Sequence, residues 1–165
     1  MAHAGRRDDA GRGGAGGLRG GRQRHGYGEP DGESQLNESA SEGQNDVGTM
    51  LDLTNSSRHA CALDGYPGLG LLDSRHRVLR TVTHQGDTFW TNDTGRRIVG
   101  LAPGQTAYAG LAWTHTGDNA VSASYLEVTP PNSTTHLTIS FRQLVDGGDL
   151  DVTALTGTVS FSNGI

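Results

Sequence analysis

The chain has 165 residues, the length of one ordinary domain, with 26 Gly, a hydrophobic fraction of 33% and a formal net charge of −5 at pH 7. No run of 18 apolar residues occurs and no apolar h-region follows Met1, so neither a transmembrane segment nor a signal peptide is expected. One cysteine cannot form an intrachain disulfide, and the acidic balance suits neither nucleic acid nor anionic lipid, whose phosphates need a positive field.

Residues 1–33 hold 11 of the 26 Gly and almost no large apolar side chain. Six Arg against five acids give them +1, whereas residues 34–165 carry seven Arg against 13 acids, or −6. We read 1–33 as a disordered Gly/Arg-rich arm, because it cannot bury enough apolar surface to offset the entropy of ordering, and 34–165 as one β-sandwich domain. Arg-rich arms can stack on RNA bases, but Tyr27 is the only aromatic here and Asp8, Asp9, Glu29 and Glu33 cancel most of the charge, so a linker is expected and no nucleic-acid partner. All 13 basic residues are Arg, which points to a GC-rich genome.

From residue 34 the pattern is that of strands. "SQLNESASEG" reads as a weak first strand. In "VGTMLDLTNSS", Val47, Thr49, Leu51 and Leu53 share a face, and Asn55-Ser56-Ser57 makes a turn. "HACALDGYPG" places Cys61 and Leu63 together and breaks at Gly65; "LGLLD" pairs Leu69 with Leu71, "DSRH" is a turn, and "RVLRTVTH" alternates again. "RRIVGLAPGQTAYAGLAWTH" reads as a hairpin-like unit. Pro103 suits the first corner of a type II turn and Gly104 the second, after which Ala107, Ala109, Leu111 and Trp113 share a face.

"SYLEVTPPNSTTHLTISF" is two strands about Pro130-Pro131-Asn132, with Leu126 and Val128 inward on one and Leu137, Ile139 and Phe141 on the other. Leu150 and Val152 close the domain. No helical apolar period occurs, so the expected fold is all-β, an antiparallel sandwich with one face of each sheet on the core and the other in water.

The residues assemble no recognisable reaction centre. There is no Gly-x-Ser-x-Gly elbow. His59 lies two residues from Cys61 and could lower its pKa, but Cys61 shares a face with Leu63 and is expected to be a buried, inert thiol. His3, His25, His59, His76, His84, His115 and His136 are scattered, mostly near turns, without the short spacing zinc requires. "DGGDLD", Asp146 to Asp151, lacks a calcium-loop frame and reads as a turn with solvated carboxylates. Asn37, Asn55, Asn92 and Asn132 begin Asn-x-Ser/Thr triplets, read as turn residues rather than glycan acceptors. No catalytic, cofactor-binding or metal-ligating residue is assigned, and no cofactor is expected. The alternative is a hydrolase with a loop-built site around His59, His115 and Asp118.

"LDLTNSSRHACALDGYPGLGLLD", "LAPGQTAYAGLAW" and "YLEVTPPNSTTHLTISF", in this order, resemble the actinobacterial domain of unknown function 4232, over roughly residues 35–156. The resemblance implies a secreted or lipid-anchored, immunoglobulin-like β-sandwich with no established activity, and partners that are a protein or glycan of the cell envelope. It places Cys61 where relatives have a half-cystine, before a Gly-Tyr-Pro-Gly turn in which Gly65 and Gly68 permit the tight backbone and Tyr66 packs near the sandwich edge. Two features depart from the family. Its other cysteines are missing, with Asn119, Ala120 and Asp146 where they are expected. The Gly/Arg arm stands where relatives carry a signal peptide, as a misplaced start would produce.

Overall fold

The computed structural model describes residues 45–134 and 136–162 and the backbone of Leu36–Asn37. The arm assigned to residues 1–33 lies outside the described residues, as does the first strand beyond that dipeptide. Ten strands follow in order: β1 (Leu36–Asn37), β2 (Asp46–Thr54), β3 (Cys61–Asp64), β4 (Gly68–Leu72), β5 (Val82–Gln85), β6 (Ile98–Leu101), β7 (Thr106–Thr114), β8 (Val121–Thr129), β9 (Leu137–Val145) and β10 (Asp149–Val152). The described residues contain no α-helix, only a 3-10 turn at Asp146–Gly148.

The strands form a five-stranded sheet in the order β1-β2-β7-β10-β5, a three-stranded sheet β4-β8-β9, and the pair β3-β6. One core joins them. Leu51 and Leu53 of β2, Leu63 of β3, Leu71 of β4, Leu101 of β6, Leu111 and Trp113 of β7, Leu126 and Val128 of β8, Leu137 of β9 and Leu150 of β10 are all buried in it. Ile139 is only half-buried against this core. The period-2 alternation of apolar residues places these side chains on inner faces, so the sandwich follows from the pattern.

The all-β sandwich with antiparallel sheets is the fold expected, and three details differ. Not every strand pair is antiparallel, because β5 runs parallel to β10. β5 reaches that edge from β4 of the other sheet rather than through a hairpin, so nothing forces an antiparallel pair. "RRIVGLAPGQTAYAGLAW" is not a hairpin either: β6 pairs with β3, and β7 with β2 and β10. Its turn is nonetheless type II, with Gly104 at φ +84° and the Gln105 N–H donating to Ala102 O at 3.0 Å, but it carries the chain between sheets. Finally, the outer face of β2 and β7 is not in water. Met50 and Ala112 are buried there under Trp90, whose indole N–H donates to Leu111 O at 3.2 Å.

Of the glycines flanking Tyr66 and Pro67, only Gly65 needs its freedom, at φ +104°; Gly68 simply begins β4. The β8–β9 hairpin turns at Asn132 as expected, at φ +64°. Further along, Ala123 faces Gln143 and Tyr125 faces Ser140, which leaves Phe141 and Arg142 opposite Ser124 as a bulge with Arg142 at φ +49°.

Candidate binding face

The residues of the hydrolase alternative are not brought together. β2 and β7 pair in antiparallel register, with Thr54 beside Thr106 at one end and Asp46 beside Thr114 at the other. His59 follows the first end, where its carbonyl accepts from Asn55 Nδ2 at 2.8 Å. His115 follows the second, its N–H donating to Asn45 O at 3.1 Å. Nine residues of extended strand at roughly 3.4 Å each separate the ends by about 27 Å. His59, His115 and Asp118 are all exposed. Cys61 is half-buried rather than enclosed, and burial pushes its thiol pKa up, away from a reactive thiolate. Among the described residues no group of three His, Cys, Asp or Glu could hold a metal ion.

Most buried polar chemistry is committed to loop architecture. Asn55 is fully buried. Its Nδ2 donates to His59 O and to Leu101 O at 2.9 Å, and its Oδ1 accepts from Ser57 N–H and Oγ–H. That leaves no amide for a glycan. Asp93 accepts Tyr66 O–H at 2.5 Å and Ala154 N–H at 2.8 Å, tying the Gly-Tyr-Pro-Gly turn to the end of β10. The bond to Asp93, with burial and the charges of Asp93 and Asp87, pushes Tyr66 up to about 12.

Asp146 lies in a solvent-facing turn as expected, but its carboxylate is also engaged in hydrogen bonds. It accepts Thr116 Oγ1–H and N–H at 2.6 Å and Gly117 N–H at 2.9 Å, and these bonds, the Thr116 hydroxyl first, lower its pKa to about 2. Asp151 is shifted the other way: burial raises it, with Asp149 adding to the effect and His84 opposing it.

The exposed chemistry concentrates on the outer face of β4-β8-β9. With Leu69 and Leu71 of β4 turned inward, Gly68, Gly70 and Leu72 face out, opposite Thr129, Glu127 and Tyr125 of β8; Leu72 is buried there, and at the two glycines the strand presents backbone alone. Thr138 and Ser140 of β9 lie opposite Glu127 and Tyr125. His136 Nε2 stands 3.2 Å from Glu127 Oε2. Above Tyr125 lies the imidazole of His76, 4.2 Å between ring centroids and 18° from parallel.

His76 is held in place by its turn. Its φ is +60°, in the left-handed region that costs a side-chain-bearing residue energy. His76 N–H donates to Asp73 O, and the Asp73 carboxylate accepts the N–H groups of Arg75 and Arg77 and the Arg77 guanidinium. The Arg77 backbone bond, followed by that from Arg75, keeps Asp73 below the usual carboxylate range. Arg75, Arg77, Val78 and Arg80 rim this corner, exposed on an otherwise acidic domain.

Sequence reasoning passed over His76, Tyr125, Glu127 and His136 as a unit. A partial signal exists: Tyr125, Glu127 and Thr129 alternate with Leu126 and Val128, and Gly68 and Gly70 with Leu69 and Leu71. The stack and the His136–Glu127 pair join residues from different loops and strands, and no local pattern announces them.

Neither the curated proteins nor the solved structures offer a match to the chain. The family described as domain of unknown function (DUF4232) matches residues 32–156, which covers every strand from β1 to β10. The chain belongs to the DUF4232 family.

Proposed function

We propose that this chain is a non-enzymatic binding module of the cell exterior or cell envelope, and that it takes a glycan on the outer face of β4-β8-β9. The observation carrying this reading is the stack of exposed His76 on half-buried Tyr125, beside the Glu127–His136 pair. A pyranose presents an apolar C–H face and a rim of hydroxyls. The stack offers a ring to the first; Glu127, His136, Thr138 and Ser140 offer donors and acceptors to the second. The bare backbone at Gly68 and Gly70 lets an extended polymer lie close to the sheet. The left-handed backbone at His76 supports a role for its ring, because strain of this kind is retained where a side chain must be aimed. Export rests on the resemblance of the three sequence motifs to secreted or lipid-anchored relatives.

Calorimetric titration with soluble cell-wall polysaccharide fragments tests the site. Wild type should bind saturably, and His76→Ala and Tyr125→Ala should each lose at least tenfold with the fold intact. Absence of saturable binding to any fragment, or equal binding by both variants, would overturn the proposal. Fractionation of cells producing the native gene tests the compartment: protein confined to the cytosol contradicts the exterior role.

A further inference from the structure

The outer face of β2 and β7 carries a second feature, independent of the glycan face. Thr88–Asn92 crosses this face and is pre-shaped by its own bonds. Thr88 N–H donates to Thr91 O at 3.0 Å, Thr91 N–H donates to Thr88 Oγ1 at 2.9 Å, and the two hydroxyls meet at 2.6 Å. Gly48 and Gly110 have no side chain where Trp90 and Thr91 settle, since a Cβ at either would fall on those residues. Against this segment lie residues 158–162. Thr91 and Phe161 form an antiparallel bridge, Asn92 N–H donates to Ser160 O at 2.9 Å, and Ser162 N–H donates to Trp90 O at 3.0 Å. Val159 packs on the Met50–Trp90–Ala112 cluster, and the Phe161 ring lies 5.8 Å from that of Trp90. The Asn92 side chain grips the same segment, donating to Phe161 O at 3.0 Å and accepting Ser162 Oγ–H at 3.1 Å.

We infer that the edge of Thr88–Asn92 beside Trp90 is a peptide-docking site for an extended partner segment with apolar residues at alternate positions, and that residues 158–162 are its resident, displaceable occupant. Recognition is by strand addition: backbone bonds hold any extended segment, and the Trp90 surface selects an apolar side chain at every second position, as Val159 and Phe161 provide. Two observations make the occupant removable. The family match ends at residue 156 and the deepest core residue nearest the end is Leu155, so the strap lies beyond the common fold. Val159 packs on the covered Trp90 cluster, but Phe161 remains 54% exposed in its seat, so half of the strap's larger apolar side chain is left in water; Phe89, next to Trp90 in the chain, is 41% exposed as well. Gly157 precedes the strap, has nothing within 4 Å of where a Cβ would sit, and can serve as the hinge.

The test uses the full-length chain carrying Val159→Ala and Phe161→Ala, which loosens the strap without shortening the protein, and a fluorescein-labelled peptide of residues 157–165 followed by anisotropy. The variant should bind the peptide saturably and at least tenfold more tightly than wild type, whose own strap competes. Adding Asn92→Ala to the variant should weaken binding at least tenfold. Equal binding by wild type and variant, or equal binding of a scrambled peptide, overturns the inference. Amide hydrogen exchange on wild type provides a check that needs no variant to fold. The Asn92 and Ser162 amides should exchange at least a hundredfold faster than the β7 amides paired to β2. Exchange of both sets at one common rate would mean that the strap never leaves short of global unfolding, and the inference fails.

Discussion

Trp90 occupies the space that a side chain on Gly48 would need. β2 and β7 place Gly48 beside Ala112 and Met50 beside Gly110, so two glycines and an alanine leave room on their outer face, and the indole packs there against Met50 and Ala112. Gly48→Ala must push the ring off its bond to Leu111 O or bend β2. Overpacking of this kind costs about 1–3 kcal/mol. Gly100→Ala, where nothing lies within 4 Å of the added carbon, should stay within about 0.5 kcal/mol of wild type. Denaturant unfolding of the two variants checks the contrast; similar midpoints would refute it.

Asn55 joins the turn after β2 to the turn between β6 and β7. Beyond its side-chain bonds, its N–H donates to Gln105 O and its O accepts Gly104 N–H. Asn55→Ala strands Leu101 O without its donor in a buried position and should cost about 1–3 kcal/mol. Asn55→Asp should be worse at neutral pH, because a carboxylate would then face two carbonyl oxygens, and should recover part of the loss in acid. Melting curves at pH 7 and pH 4 measure both effects.

Asp146 links stability to pH. Its folded pKa of about 2 lies below the value of about 3.9 for an unfolded Asp, so its contribution is complete above the unfolded value and fades as pH falls from about 4 towards 2. Asp146→Asn should therefore lower the melting temperature at pH 7, and the gap should close across that window. A gap that stays constant down to pH 2 would show that the charge plays no part. Tyr66 behaves oppositely: its folded pKa of about 12 exceeds the ordinary value of about 10, so its bond to Asp93 stabilises below pH 10 and is lost as pH rises towards 12. The difference between wild type and Tyr66→Phe should shrink over that range.

Cys61 should react slowly. Burial raises its pKa, so at neutral pH little thiolate is present, and its pH profile for iodoacetamide labelling should lie above that of the unfolded chain. His59→Ala should leave the native rate unchanged, because His59 is exposed and does not shift the thiol. Native labelling as fast as unfolded labelling, or a large effect of His59→Ala, would reopen the nucleophile reading.

The sequence by itself determined which side chains turn inward. Leu51 and Leu53, Leu111 and Trp113, and Leu126 and Val128 are buried as their alternation requires, because a strand's side-chain period is a local property of the backbone. Turn chemistry was equally local: Pro103-Gly104 and Pro131-Asn132 turn where their φ preferences place them. Tertiary structure alone decided what the outward residues meet. Tyr66 and Asp93 are 27 positions apart, Thr116 and Asp146 30, and Asn92 and Ser162 70. Alternation marks a residue as outward whether water, a loop or a strap lies beyond it, so it could show neither the cover of Trp90 nor the duty of Asp146. Strand order was hidden for the same reason. β6 and β7 follow one another across a type II turn, yet each pairs with a strand distant in sequence, because burying the two inner faces against each other outweighs keeping chain neighbours together.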